Sequence, residues 1–311
     1  MTRSPDTGDL FPRSVELVRG DLLDEASLIR AAAGCHTVFH TAAAIITRGG
    51  WDAYRVPNVE GTRNAIAAAE RARARLLHVS SVAVYGPTAR YEAAKRGEKT
   101  DEHTPLAPLR ERAYYARSKR ESEQLVLDAH RQGRVWATVV RPDVVYGRRD
   151  RQFVPRMASL IRRGAIPLIN GGRATLAVVH AANVADGAVR AATNDSAGGN
   201  VYNLANDFDV SVRRFFELAG EGLGRRPLFI PMSAGFARGL LKGVKSVMRL
   251  VSGGRLSLVS ASTIDFIAED NPFSSERAKR ELGWRPTVRP EIGVPDAFRW
   301  WLESAQGPGH Q

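Results

Sequence analysis

Residues 75–86, RLLHVSSVAVYG, decide how this chain folds. Its LLHV run is apolar, strand-length and bounded by polar residues, which predicts a buried strand. Ser80 and Ser81 close that run. If the sheet is parallel they stand at its carboxyl edge, where open α/β sheets bind ligands. Serines are also ordinary turn residues, so the neighbouring segments must settle what the pair is for.

Three other stretches have the same character: VELVRGD (15–21), TVFHTA (37–42) and WATVVRPDVVYG (136–147). Between them lie DEASLIRAAAG (24–34), NVEGTRNAIAAAERARA (58–74) and YYARSKRESEQLVLDAHRQG (114–133), with apolar residues at helical spacing. Buried strands alternating with helices predict a parallel sheet covered on both faces. After about residue 150 the pattern turns helical, with helices expected near 152–164, 181–193, 210–222, 233–251, 258–268, 274–282 and 290–303. Short strands LAVVH, VYNLA and PLFIP interrupt them. The charged segment 87–112 is long enough to be a lid or a disordered excursion.

Composition narrows the function classes. The 311 residues are 43% hydrophobic and 25% charged, enough to bury a full core. Cys35 is the only cysteine, which favours a reducing, cytoplasmic setting and excludes a disulfide framework within the chain. None of the seven histidines sits beside a suitable carboxylate cluster, so no metal site is expected. No apolar run approaches the ~18 residues of a spanning helix. The net charge of +12 comes from basic residues spread along the chain and mixed with acids, without a nucleic-acid motif, so nucleic acid is not the expected partner.

Chemistry concentrates in AYYARSKRE (113–121), where Tyr115 and Lys119 stand four apart and share one helix face. An ammonium near a phenol favours the phenolate and would bring tyrosine toward acid/base use. An isolated Y-x-x-x-K is more often two solvated helix residues. Ser81 at a strand end would complete the pair by holding a substrate oxygen.

The segments GDLLDEASL, VFHTAAAI, NVEGTRNAIAAA, HVSSVAVYG, YYARSKRESE, VVRPDVVYG and VVHAANVADGA, in this order and spacing, resemble the extended short-chain dehydrogenase/reductase superfamily, also called the NAD-dependent epimerase/dehydratase family. The likeness is greatest to the 3β-hydroxysteroid dehydrogenase branch and extends to the tail FSSERAKRELGWRPTV. The resemblance implies Ser81, Tyr115 and Lys119 as catalytic residues, Tyr115 being the acid/base. It implies NAD or NADP as cofactor, held by Asp21, Leu22, Thr41, Ala42, Ala43, Asn58, Ser80, Tyr115, Lys119, Pro142, Val144 and Val145. Asn58 read alone would be a helix N-cap.

The family's opening strand, glycine-rich turn G-x-x-G-x-x-G and second strand have no counterpart, because the early glycines are Gly8, Gly20 and Gly34. That turn lets backbone N–H groups and a helix N-terminus approach a pyrophosphate. The expected fold is therefore α/β: a Rossmann-like doubly wound parallel sheet, truncated at its N-terminus, with a smaller, mostly helical C-terminal substrate domain. Residues 1–150 would form the incomplete dinucleotide-binding domain and 151–311 the substrate-binding portion, with some segments returning to the sheet. The strands 15–21 and 37–42 would then expose unpaired edges or pair with each other.

Sugar-nucleotide members of the superfamily commonly carry asparagine where this chain has Val144, which leans toward a lipophilic secondary alcohol or ketone. Arg148, Arg149, Arg151 and Arg156 pull the other way, since arginines grip phosphates. The segment 233–251 would make a basic amphipathic helix that either contacts an anionic membrane or packs on its own domain. Three readings follow: a 3β-hydroxysteroid dehydrogenase-like oxidoreductase, a nucleotide-sugar epimerase or dehydratase, or a cofactor-free binding protein. A homodimer is usual in such a family.

Overall fold

The computed structural model describes residues 1–3, 11–45, 49–86, 96–233, 235–236, 270 and 273–306. Its centre is a four-stranded sheet in which every pairing is parallel. Strands β1 (Thr37–His40), β2 (Arg75–Val79) and β3 (Ala137–Pro142) lie side by side, and β7 (Val201–Leu204) adds beyond β3. Helices α3 (Gly61–Ala72) and α4 (Tyr114–Arg131) are the crossovers from β1 to β2 and from β2 to β3.

The period of two in the strands sorts the core into two layers. Leu76 and Val139 face Ile66 of α3 and Val126 of α4. Leu77 and Val140 face the opposite side, against Ala188 and Ala191 of α6 (Ala181–Thr193) and Trp284. Both faces are thus covered, as the alternating pattern predicts. The glycine that opens α3 is required by this packing, since a Cβ on Gly61 would meet Leu22 at 2.5 Å.

The long segment 136–147 does not remain one strand. It breaks at Asp143, and β4 (Val144–Tyr146) pairs with β6 (Val178–His180) in a separate two-stranded sheet. Behind it, α5 (Phe153–Arg162), α7 (Val212–Gly222) and α9 (Pro290–Gln306) share a second core around Phe215 and Phe298. Strands β5 (Ala165–Ile169) and β8 (Leu228–Met232) form another parallel pair. The tail following α8 (Glu276–Glu281) is pinned by Asn183, whose Oδ1 accepts from the backbone N–H groups of Thr287 and Val288. Trp284 Nε1 donates to the Asn183 carbonyl at 2.9 Å.

The expectation for residues 15–21 fails. Residues 15–21 do not form a strand: a single parallel bridge joins Thr2 to Arg19, with Val15 and Leu17 exposed. Thr2 N–H donates to the Val18 carbonyl and the Thr2 carbonyl accepts from Gly20 N–H, which makes a bridge and not a ladder. The run 75–86 ends as a strand at Val79, and Val82–Tyr85 closes into a 3-10 turn capped by Ser81, whose Oγ accepts from Ala83 N–H at 3.2 Å. Residues 87–95 and 237–269 lie outside the described residues, and with them most of the expected helix 233–251 and all of 258–268. The later part of the 87–112 connection is docked, with Thr100 bridged to Phe273. Among the described residues no helix is long and apolar enough to cross a membrane.

Candidate active site

The end of β2 and the first turns of α4 bring the candidate triad together. Ser81 follows β2 directly and is buried at 8% exposure. The Tyr115 phenol lies close enough to the Ser81 side chain for Ser81 to favour its ionised form. Lys119, one turn on, is 2% exposed and donates from Nζ to the Val79 carbonyl at 2.6 Å. The i to i+4 spacing thus puts both side chains of the helix against one strand end, while Tyr114 faces Trp51 and Tyr54.

Electrostatics differ from expectation in one respect. Burial pushes the Tyr115 phenol above its ordinary value, and Ser81 is what opposes the rise. Lys119 is not among the groups that move it. Burial lowers Lys119 itself to about 8, against the pull of Glu123 upward. Beneath it lie two buried imidazoles, His40 and His78, with ring centroids 5.2 Å apart. His40 is lowered to about 3, first by burial and then by Lys119, and His78 falls well below the usual range for the same reasons. Both histidines are therefore neutral at physiological pH.

Asn58 is not a plain N-cap. It sits in a π-helical turn (Val56–Glu60) and is 2% exposed. Its Oδ1 accepts from Ala44 N–H at 2.7 Å, while Nδ2 donates to the Ala44 carbonyl at 3.0 Å and to Ser118 Oγ at 2.9 Å. One amide thus joins the loop Thr41–Ala44 to the helix of Tyr115 and Lys119. Ser118, between the two catalytic candidates, was passed over in sequence; its i+3 position from Tyr115, whose carbonyl it bonds at 2.9 Å, is the local signal.

The remaining candidates take separate places. Leu22 packs on Gly61 and its carbonyl accepts from Asn64 Nδ2 at 3.0 Å. Asp21 is held by Ser27, and its carboxylate lies 3.9 Å from Arg3. Pro142 is buried at the end of β3, Val144 is half-buried and Val145 is 38% exposed. Asp143 between them was not anticipated: Oδ2 accepts from Asn206 N–H at 2.8 Å, Oδ1 has no partner, and burial raises its carboxyl well above the usual range.

Tested against a dinucleotide, the two halves of this site behave differently. Ser80 Oγ is buried without a partner beside the Lys119 ammonium, and the Asn58-braced loop runs alongside, so the strand-end residues fit a ribose and a nicotinamide. A pyrophosphate cradle of clustered glycines is not found among residues 1–36. When bound, such a cofactor would exchange a hydride with the substrate carbon.

Comparison with known proteins gives the family and the fold. The family model "NAD dependent epimerase/dehydratase family" matches residues 2–205. The 4-hydroxy-2-methyl-3-oxo-4-farnesyl-3,4-dihydroquinoline-1-oxide ketoreductase of Stigmatella aurantiaca is 32% identical over 293 residues, covering 93% of this chain and 84% of the relative. The 3beta-hydroxysteroid-dehydrogenase/decarboxylase isoform 1 of Arabidopsis thaliana is 26% identical over 292 residues, covering 90% of this chain and 65% of the relative. The crystal structure of gox2253 superposes with a TM-score of 0.73 at 26% identity, covering 97% of this chain and 88% of that one.

Proposed function

The chain belongs to the NAD dependent epimerase/dehydratase family, and from that premise we propose that it is an NAD(P)-dependent oxidoreductase acting between a lipophilic secondary alcohol and its ketone. The observation that carries this reading is the meeting of Ser81, Tyr115 and Lys119 at the carboxyl end of β2, where Lys119 is buried and donates from Nζ to the Val79 carbonyl at 2.6 Å. In the reducing direction the Tyr115 phenol donates its proton to the substrate oxygen, while Ser81 holds that oxygen in line. In the oxidising direction the phenolate takes the hydroxyl proton back. Lys119 supplies the fixed positive charge near the strand end and would reach the ribose hydroxyls. Asn58 keeps the loop Thr41–Ala44 and the helix in register, and Ser80 offers a free hydroxyl to the cofactor.

A lipophilic substrate is supported by the apolar pair Val144 and Val145 at the start of β4, and by the prenylated and sterol substrates named for the two relatives. The deciding experiment incubates the purified chain and NAD or NADP with pregnenolone, read by cofactor absorbance, or with UDP-glucose, read by chromatography of the sugar-nucleotide product because that turnover regenerates the cofactor. Turnover of the sterol, abolished by Tyr115→Phe, is the expected result. Turnover of the sugar nucleotide alone would replace this reading with an epimerase or dehydratase. Binding of either compound with unchanged affinity in Tyr115→Phe and no turnover in either protein would leave a binding protein.

A further inference from the structure

Arg141 lies near the end of β3, 6% exposed, in the middle of a buried chain of polar contacts. Its guanidinium makes a two-pronged ion pair with Glu123, Nε to Oε2 at 3.1 Å and Nη2 to Oε1. The third nitrogen, Nη1, donates to the Tyr85 hydroxyl at 2.9 Å, and Tyr85 donates in turn to Asn203 Oδ1 of β7 at 2.9 Å. Glu123 is one turn beyond Lys119 on α4, and Tyr85 ends the 3-10 turn that Ser81 begins. One planar cation is therefore bonded to both elements that carry the candidate triad.

We propose that Arg141 is a positioning residue that sets the distance between Ser81 and the Tyr115/Lys119 face of α4, acting through Tyr85 on one side and Glu123 on the other. The proposal rests on the oxidoreductase reading above for its kinetic consequence, though not for its geometry. Guanidinium suits the task because its donors are rigidly forked, so both partners are fixed in direction as well as distance. A second strut runs in parallel: Arg120 of α4 donates to the Val84 carbonyl of the same turn at 2.7 Å and to Ala107 at 2.5 Å. Arg120 grips only the turn's backbone, whereas Arg141 also joins β3 and β7. Because catalysis depends on sub-ångström placement, a residue that never touches substrate can control rate in this way.

Two variants separate positioning from mere stability. Tyr85→Phe deletes one hydroxyl and keeps the ring and the ion pair. Arg141→Met combined with Glu123→Leu replaces a buried ion pair by apolar side chains of similar volume, an exchange that commonly preserves or raises stability. With pregnenolone and NAD, kcat is expected to fall about tenfold in the first and about a hundredfold in the second, with KM changed less than about twofold and melting temperature held. Wild-type kcat in both well-folded variants would overturn the proposal.

If the wild-type chain does not turn over pregnenolone, the oxidoreductase reading fails separately, and the Lys119 ammonium reports on the geometry alone. Charged and titratable groups facing it are Glu123 on its own helix, His78 of β2, His40 of β1 and Arg141 beyond Glu123. Tyr85→Phe changes none of these charges. A shift of the Lys119 titration in side-chain NMR of the lysines would then mean that the helix has moved, and an unshifted titration would overturn the proposal.

Discussion

Strands β1 and β3 run in the same direction in one sheet, yet they do different work. β3 is paired on both edges and buried at every position, and its last residues carry Arg141 and Pro142 into the site. β1 is paired on one edge only among the described residues, and Phe39 is 43% exposed. The candidate triad stands on the doubly paired side, built from β2, α4 and β3. The cofactor-facing candidates Asp21 and Leu22 stand on the sparsely paired side, where the backbone of 15–21 has one bridge. Proton transfer needs fixed placement of a few atoms, and that precision comes where hydrogen bonds and packing surround the strand on both sides.

The largest expected contrast is in amide exchange. The N–H groups of β3 should open only with global unfolding, whereas those of 15–21 should exchange with almost no protection, a difference of roughly 5 kcal/mol or more in opening free energy. Equal protection of the two segments, read by mass spectrometry, would erase the distinction. Next in size, Tyr115→Phe should reduce kcat by about 10²–10⁴-fold with little change in melting temperature, and initial rates with the best substrate check it. A mild loss would move the acid/base role off the well-paired side.

Core substitutions sharpen the comparison thermodynamically. Leu76→Ala, fully buried in β2, should cost about 2–5 kcal/mol, while Phe39→Ser on the open strand should fall within about 0.5 kcal/mol of wild type in urea unfolding. A comparable loss at Phe39 would mean that this edge is covered in solution. The smallest effect concerns Lys119. Its folded value is lowered to about 8 from an ordinary 10.5, so between those limits the unfolded chain binds the extra proton. Stability therefore rises with pH across that window, and the penalty is complete below about 8. Lys119→Met should raise stability by on the order of 1 kcal/mol at neutral pH and lose that advantage as the window is crossed, which thermal melts at two pH values would reveal.

Much of the site was legible before any coordinates. Ser81, Tyr115 and Lys119 are singled out by the family resemblance, since a strand-end serine and an i, i+4 pair alone would equally suit a turn and a solvated helix face. The alternating patterns of 75–79 and 137–142 place Leu76 and Val139 on one face and Leu77 and Val140 on the other. Residues 15–21 misled because a β-branched, apolar run looks the same whether or not a neighbouring strand exists. The break at Asp143 was hidden for a similar reason, since VVRPDVVYG reads as continuous until one sees β4 pair with β6 instead of β7.

By itself, then, the amino-acid sequence determined the parallel α/β architecture, the helix face that carries Tyr115 and Lys119, and the strand end that presents Ser81. These depend on periods of 2 and 3.6 residues, which are written in short windows. Only the tertiary structure decided that Asn58 braces the Ala44 loop, that Lys119 is held by Val79, and that Arg141 joins Glu123 to Tyr85. Those partners stand 14, 40, 18 and 56 residues apart. Contacts at such separations are set by how the chain packs, and a polar side chain in a buried strand shows which partner it needs only once that partner is beside it.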